Sequence, residues 1–428
     1  MSPRITIKEQ LLAIIQAHTA EMITGFEGAE KILQIKTVSV KPNDGLRSVS
    51  REEWSRILDV AKCSILSECK SENCTSYVLS ESSLFVFENI CIFKTCGRTL
   101  LLLTIPLILD LLKEKGLQLE FLLYSNKDYL FPECQVYPHS SWKESEEYLR
   151  SFFPEENRFI LGEESGDHVF LFAYSPLFSN PSVGYMEKNV LEDVRWEQGT
   201  SDVSSDQGSY ILSTPNELSN GSFEEMKEAE SASSYHPSYP SSPVAVDQSL
   251  MCEGGLESCF LNVMMYHMDE AVAQQFYKTS DAMTARQVTL TSGIGSLYPG
   301  SQIDDYLFSP CGYSMNGLTM GGFYTIHITP EAHCSYVSFE TNIASSDYVA
   351  LVEYVLSIFK PKHFSVTFFF NCDTGYISDK SPLLHDTLRD EERVYSRVGY
   401  STTVKNGCVY SLGNYLLRSE ERRVGKEC

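Results

Sequence analysis

Apolar residues in this chain fall into blocks of two kinds. Tyr77-Val78-Leu79 and Leu84-Phe85-Val86-Phe87 flank the polar run Ser80-Glu81-Ser82-Ser83, and Glu88-Asn89 separates the second block from Ile90-Cys91-Ile92-Phe93. Short apolar blocks bounded by turn-forming residues predict strands joined by tight turns. Longer blocks predict helices. One runs from Leu100 to Glu114 and is ended by Gly116, with a strand from Leu117 to Tyr124 after it. The order recurs late in the chain: a strand over Ser335 to Glu340, a helix capped by Ser346 or Asp347, running through Phe359 and stopped by Pro361, and a strand over His363 to Phe370. Two strand–helix–strand units at opposite ends of one chain suggest an internal duplication.

Three further helices are expected. Ser50-Arg51-Glu52-Glu53 has the spacing of a capping box and opens one that reaches Leu58. Residues 1–24 carry Leu11, Leu12, Ile14 and Ile15 among charged flanks, an amphipathic pattern whose acids argue against a targeting peptide. Glu27 and Glu30, three apart in Phe26-Glu27-Gly28-Ala29-Glu30-Lys31, share one face of a third.

Composition narrows the class. The 428 residues are 43% apolar and 12% aromatic, which suits a large globular core in one or two domains. The net charge is −23 with no basic cluster, so nucleic acid is an unsuitable partner and a cationic ligand a compatible one. The 13 cysteines lack metal-site spacing and no secretory signal precedes them, so they read as reduced thiols in the cytoplasm, with no metal. Leu100 to Leu112 is too short to span a membrane and contains Pro106 and Asp110. Residues 187–256 hold thirteen acids against Lys188, Arg195 and Lys227 and are rich in Ser, Gly and Pro, a composition expected to form a disordered insertion.

The stretch Tyr77-Val78-Leu79-Ser80-Glu81-Ser82-Ser83 followed by Phe93-Lys94-Thr95-Cys96-Gly97 resembles the self-cleavage site of eukaryotic S-adenosylmethionine decarboxylases, which work through a pyruvoyl group. Phe308-Ser309-Pro310-Cys311-Gly312-Tyr313-Ser314-Met315-Asn316-Gly317, Tyr324 to Glu331 and Tyr336 to Thr341 resemble the same family in order and spacing. The likeness covers residues 26–186 and 257–374, weakens from Gly375 to Arg397 and returns over Val398 to Leu417. It implies an α+β fold: a four-layer α/β/β/α sandwich with two antiparallel sheets inside, over residues 25–417. Residues 1–24 are then an N-terminal extension. The last eleven residues, from Arg418 to Cys428, read as translated sequencing-adapter sequence, so the natural C-terminus is expected beyond this chain.

The chemistry explains why a serine is needed. Decarboxylating an amino acid leaves a carbanion that requires an electron sink, and no standard side chain carries the carbonyl that could form a Schiff base with the substrate amine. A chain can make one. The hydroxyl of Ser82 attacks the carbonyl of Glu81, an ester replaces the amide, β-elimination breaks the chain, and loss of ammonia leaves a pyruvoyl cap.

The resemblance implies the remaining roles position by position. His327 takes the α-proton during elimination and Ser314 assists the acyl shift. Cys96 protonates the substrate α-carbon after carbon dioxide leaves. Glu30 serves processing and catalysis. Phe26 and Phe308 stack on adenine, Glu27 and Glu331 hold the ribose, and Leu79 contacts the substrate. Arg98 follows Gly97 where the family carries a small residue. The implied partners are S-adenosylmethionine and the chain's own two fragments as a heterodimer, with further pairing of such units. Animal-type relatives also bind putrescine in a buried acidic site. Lys94 and Glu340 remain of that site, whereas Gln34, Asn262 and Ser258 stand where the family has carboxylates. Two other classes compete: a catalytically silent paralogue that activates a true decarboxylase, and a serine hydrolase. The retained Ser82, Cys96, Ser314 and His327 argue against the first, and the absence of a G-x-S-x-G elbow against the second.

Overall fold

A computed structural model describes residues 30–39, 45–129, 131–154, 156–176, 259–319, 321–332, 335–371, 381–405 and 408–418. Its first sheet contains β1 (Lys31–Ser39), β2 (Ile65–Lys70), β3 (Thr75–Leu79), β4 (Ser82–Val86), β5 (Ile90–Thr95), β6 (Leu117–Lys127), β7 (Glu156–Gly162) and β8 (His168–Tyr174), in the order β2-β3-β4-β5-β1-β6-β8-β7. The second contains β9 (Cys259–Tyr266), β10 (Gln302–Leu307), β11 (Tyr313–Thr319), β12 (Gly322–Thr329), β13 (Tyr336–Thr341), β14 (His363–Asn371), β15 (Thr387–Arg389), β16 (Val394–Lys405) and β17 (Cys408–Leu417), in the order β10-β11-β12-β13-β9-β14-β17-β16-β15. All pairings within each sheet are antiparallel. Shifted by eight labels, the first six strands of the two sheets coincide; the β7–β8 hairpin completes the first sheet, and β16–β17 with the edge strand β15 the second. This is the duplication that the two strand–helix–strand units suggested.

The helices cover the outer faces. On the first sheet, α1 (Arg51–Ala61), α2 (Ile105–Glu114) and α3 (Trp142–Arg150) supply Trp54, Leu58, Ile105, Ile108 and Leu149 to a core shared with Leu33, Leu79, Leu84 and Phe93. On the second, α4 (Glu270–Ala273), α5 (Ala285–Thr291) and α6 (Tyr348–Phe359) pack in the same way; Leu351, Val355 and Phe359 of α6 meet Val263, Met315, Ile326 and Val337. The opposite faces of the sheets meet each other. Ile32, Phe85 and Ile92 touch Phe260, Leu318 and Phe323, with the Phe85 and Phe323 rings stacked 3.9 Å apart. A strand buried on both faces needs apolar residues at nearly every position. That is why β3, β4 and β5 read as continuous apolar blocks and not as alternating ones.

Local signals act as expected. The Ser50 side chain accepts from the Glu53 N–H while the Glu53 side chain accepts from the Ser50 N–H, the reciprocal capping box of α1. Asp347, and not Ser346, caps α6, and Lys360 closes it in a left-handed conformation just before Pro361. The Leu100–Glu114 segment begins as a 3-10 turn over Leu101–Thr104 and becomes α-helical at Ile105, where Pro106 is tolerated because first-turn N–H groups have no partner in the helix. One expectation fails. The segment counted as a helix from Phe26 through Gln34 is a strand from Lys31 onward, and Glu30 directly precedes it. Tertiary context decides this: β1 is the centre of the sheet, bonded to β5 on one side and β6 on the other, with Leu33 and Ile35 under the helices and Ile32 between the sheets. Residues 26–29, the helix expected within residues 1–24 and the insertion expected over 187–256 lie outside the described residues.

Among the described residues, Cys63, Cys74, Cys91, Cys96 and Cys134 are among the free thiols, and no helix is long and apolar enough to cross a membrane.

Candidate active site

The β3–β4 hairpin pairs Leu79 with Ser82 and leaves Ser80 and Glu81 as its turn. Ser82 opens β4 with φ +114°, a region that side-chain-bearing residues rarely adopt and that costs of order 1–3 kcal/mol. Its hydroxyl is buried and has no hydrogen-bond partner among the described residues. Both features are unfavourable, and both sit on the residue after Glu81. The Cys96 N–H points at the carbonyl of Glu81 from 3.4 Å, placing a donor where charge would develop if that carbonyl were attacked. The Cys96 Sγ lies 3.9 Å from Glu81 Oε2. Burial, reinforced by Glu81 and Glu30, pushes the Cys96 thiol well above its ordinary value, so it stays protonated. Burial likewise raises the Glu81 carboxyl, against the pull of the Lys31 ammonium. The turn that carries Cys96 is fixed from behind: the Gly97 carbonyl accepts from Lys31 Nζ at 2.6 Å and from Gln135 Nε2 at 3.3 Å, and Gly97 has φ +61°.

Strand geometry separates the two serines. Successive residues of β4 face opposite sides, so Ser83 shares the face of Phe85 and looks at the second sheet. There its Oγ lies 3.0 Å from His327 Nε2 and donates to Asn316 Oδ1 at 2.6 Å. His327 is held from its other side as well, with Nδ1 2.9 Å from Ser314 Oγ, and Thr325 Oγ1 is 2.9 Å from Nε2. Antiparallel register explains the grouping: Ser314 lies opposite His327 and Asn316 opposite Thr325 in the β11–β12 pair. Burial, and then the nearby Lys94 charge, lowers His327 well below its ordinary value, so the imidazole is neutral and able to accept a proton.

Lys94 stands opposite Ser83 in the β4–β5 pair and also faces inward. Its ammonium, fully buried, lies 2.8 Å from Glu30 and 2.8 Å from Glu340, and donates to Ser338 Oγ at 2.9 Å. Burial alone would lower its affinity for a proton; Glu30 and Glu340 reverse that and hold it above the ordinary value. Beside this cluster is a small inter-sheet cavity of about 10 Å³ lined by Glu30, Ser125, Lys127, Asn262, Thr367 and Phe369.

Comparisons with known proteins decide the family. The adenosylmethionine decarboxylase family model matches residues 23–201 and 242–417. The chain is 33% identical to the S-adenosylmethionine decarboxylase proenzyme of Dictyostelium discoideum over 83% of its length and 77% of that protein's. It is 33% identical to the proenzyme of Drosophila melanogaster (87% and 88%) and 34% identical to that of Xenopus laevis (81% and 83%). The chain belongs to the adenosylmethionine decarboxylase family. A crystal structure of the Trypanosoma brucei AdoMetDC-delta26 monomer is also similar, at 21% identity and a TM-score of 0.48, over 78% of this chain and 99% of that one.

Against that family's pattern, the structure brings Ser314 and His327 together, sets Cys96 beside Glu81, and joins Glu30, Lys94 and Glu340. Phe308 lies in the loop after β10, its ring edge-on to Tyr306 at 4.8 Å, and Glu331 follows the end of β12; neither is among the partners of His327. The Leu79 side chain is buried in the helix-side core, so only its backbone faces the hairpin. Phe26 and Glu27 lie outside the described residues. Ser83, Thr325, Asn316, Ser338 and Lys31 were missed in the sequence. The period of two was the available signal: on a strand, the serine one step from Ser82 points to the other sheet.

Glu340 yields a stability prediction. Burial, with the Glu30 carboxylate adding to it, pushes its carboxyl from 4.5 up to about 8 despite Lys94. The folded protein therefore retains a proton that the unfolded chain has released. The resulting stability is present below about pH 4.5 and is lost as pH rises through about 8. Glu340→Gln should flatten the fall in the urea midpoint between about pH 5 and 8; an undiminished slope would show that Glu340 does not carry that proton.

Proposed function

We propose that this chain is an active, self-processing S-adenosylmethionine decarboxylase that releases CO2 from S-adenosylmethionine and supplies aminopropyl groups for spermidine and spermine synthesis. The observation that carries the reading is the convergence on one hairpin of a strained, unpartnered Ser82, an N–H aimed at the Glu81 carbonyl, and a neutral His327 one residue away. The free hydroxyl of Ser82 attacks the Glu81 carbonyl carbon. The C–N bond breaks, the amine of Ser82 is released, and an ester links the two residues. Removal of the Ser82 α-proton, with His327 as base and Ser314 in contact with it, expels the Glu81 carboxylate and cuts the chain. Water then replaces nitrogen, which leaves as ammonia.

These residues fit a pyruvoyl group made from Ser82, which when present supplies the carbonyl that engages the substrate amine and accepts the electrons of the breaking bond. Cys96, kept neutral by burial, delivers a proton to the substrate α-carbon. The fragments stay together as a heterodimer because their strands interleave. The small chain, ending at Glu81, contributes β1, β2 and β3, and β1 is bonded on both sides to strands of the large chain. The free thiols suit a cytoplasmic setting.

Intact mass tests the reading directly. Purified protein should contain a small chain ending at Glu81 and a large chain starting with pyruvate from Ser82, whereas Ser82→Ala should stay whole. A wild-type chain that remains uncut with a free serine would make it a silent partner of another decarboxylase. Processing and turnover should also separate. Cys96→Ala should still be cut but lose about 10²–10⁴-fold in decarboxylation rate, the usual contribution of a positioned general acid; unchanged turnover would remove Cys96 from the mechanism.

Putrescine should activate the enzyme little or not at all. Of the four acids expected in its site, Glu340 remains. Gln34 and Asn262 are neutral and lie on the strand faces between the sheets, and Ser258 lies outside the described residues. A buried dication facing so few acids carries a desolvation cost of several kcal/mol per unpaired charge. Steady-state rates with and without millimolar putrescine at constant ionic strength decide the point, and a saturable several-fold activation abolished by Glu340→Gln would contradict it.

A further inference from the structure

A neutral imidazole has one basic lone pair, and its direction decides which proton His327 can take. With the Asn316 side-chain oxygen toward them, and its amide nitrogen buried without a hydrogen-bond partner among the described residues, the surrounding hydroxyls set the direction. Ser83 Oγ lies 2.6 Å from Asn316 Oδ1, its shortest contact, so the Ser83 proton is spent there. Thr325 Oγ1 is 2.9 Å from the Met315 carbonyl and 3.0 Å from the same Asn316 oxygen, so its proton also points away from His327. Nε2 therefore faces oxygen lone pairs at 3.0 and 2.9 Å, and must itself carry the hydrogen. Nδ1 is left as the acceptor, 2.9 Å from Ser314 Oγ.

We propose that Asn316 is a positioning residue that, by drawing the proton of Ser83 onto its side-chain oxygen while the Met315 carbonyl takes that of Thr325, locks His327 in the Nε2–H tautomer with its basic lone pair on Nδ1, directed at Ser314. Ser314 is then the group through which His327 receives a proton, and Ser83 holds the ring without supplying one. Among the described residues no hydrogen bond joins Asn316 to His327; it acts through the Ser83 hydroxyl. The fully buried position of Asn316 on β11, where no water competes for its oxygen, makes the arrangement persistent. The role rests on the reading of His327 as the processing base, but the tautomer can be measured without it.

The test uses nitrogen-15 histidine-labelled protein carrying Ser82→Ala, which keeps the chain uncut, with the His327 signals identified by their loss in His327→Gln. Long-range proton–nitrogen correlations should report Nε2 protonated and Nδ1 bare. Adding Asn316→Leu frees the Ser83 proton to donate to Nε2 and should move the hydrogen to Nδ1, whereas Asn316→Asp, which offers an oxygen in the same place, should retain Nε2–H. In the cleavable chain, Asn316→Leu should slow self-cleavage by about 10²–10⁴-fold, as wrong-tautomer and lost-base defects do, and Asn316→Asp should restore most of the rate. A bare Nε2 in the Ser82→Ala protein would mean that the Asn316 amide is reversed, and would overturn the proposal. So would Nε2–H persisting in the Leu variant, or a Leu variant that cleaves at the parental rate. An uncut wild-type chain with the Nε2–H tautomer would instead sink the self-processing reading and leave the positioning role in place.

Discussion

The molecule depends on a charge that has been taken out of water. Lys94 on β5 of the first sheet crosses to Glu340 and Ser338 on β13 of the second, and meets Glu30 at the mouth of β1. An isolated ammonium in such a place would be prohibitively expensive, and only full pairing with hydrogen-bonding groups makes it tolerable. The two sheets are therefore held at a defined offset by a polar contact with strict distance requirements, beside an apolar patch of rings and aliphatic chains around Phe85 and Phe323. That offset sets Ser83 within reach of His327, because Ser83 and Lys94 are register partners on neighbouring strands. The same ammonium helps to keep His327 neutral. One side chain thus couples the alignment of the layers to the protonation of His327.

The division of labour between Ser82 and Ser83 follows from the pleat. Two adjacent serines would be redundant on a loop. On a strand they address different compartments: one stands beside Glu81 and Cys96, the other anchors the histidine of the facing sheet. The duplicated topology supplies those compartments. The hairpin containing Ser82 comes from the first repeat, β3–β4, and the hairpin containing Ser314 and His327 comes from its counterpart in the second, β11–β12. Corresponding pieces of two copies of one fold are brought face to face, and each contributes different members of the candidate site.

Much of this is legible in the amino-acid sequence. Short apolar blocks around Ser82 marked the hairpins, the Ser50–Glu53 spacing marked α1, and the repeated strand–helix–strand order marked the duplication. The blocks around Ser82, Cys96, Ser314 and His327 named the family, because a run such as Pro310 to Gly317 is specific in a way that composition is not. What stayed hidden has physical causes. Gln34 was counted along a helix because two acids three apart fit helical spacing, whereas β1 is a strand because β5 and β6 bind both of its edges, a fact of tertiary pairing. Asn316 and Thr325 escaped notice because ordinary polar residues on a strand gain a role only when register sets them beside a particular ring.

The unfavourable backbone of Ser82 has a stereochemical end-point. A positive φ is costly because a tetrahedral, left-handed α-carbon carries a side chain that collides with the neighbouring carbonyl. The proposed reaction flattens that carbon into a ketone and removes both its hydrogen and its nitrogen-borne chain. The centre loses its handedness, and with it the torsion that was strained ceases to exist. The precursor is held in a conformation that its product has no atoms to resist, so relief of strain is confined to the forward direction and the cut cannot be undone by reversing the fold.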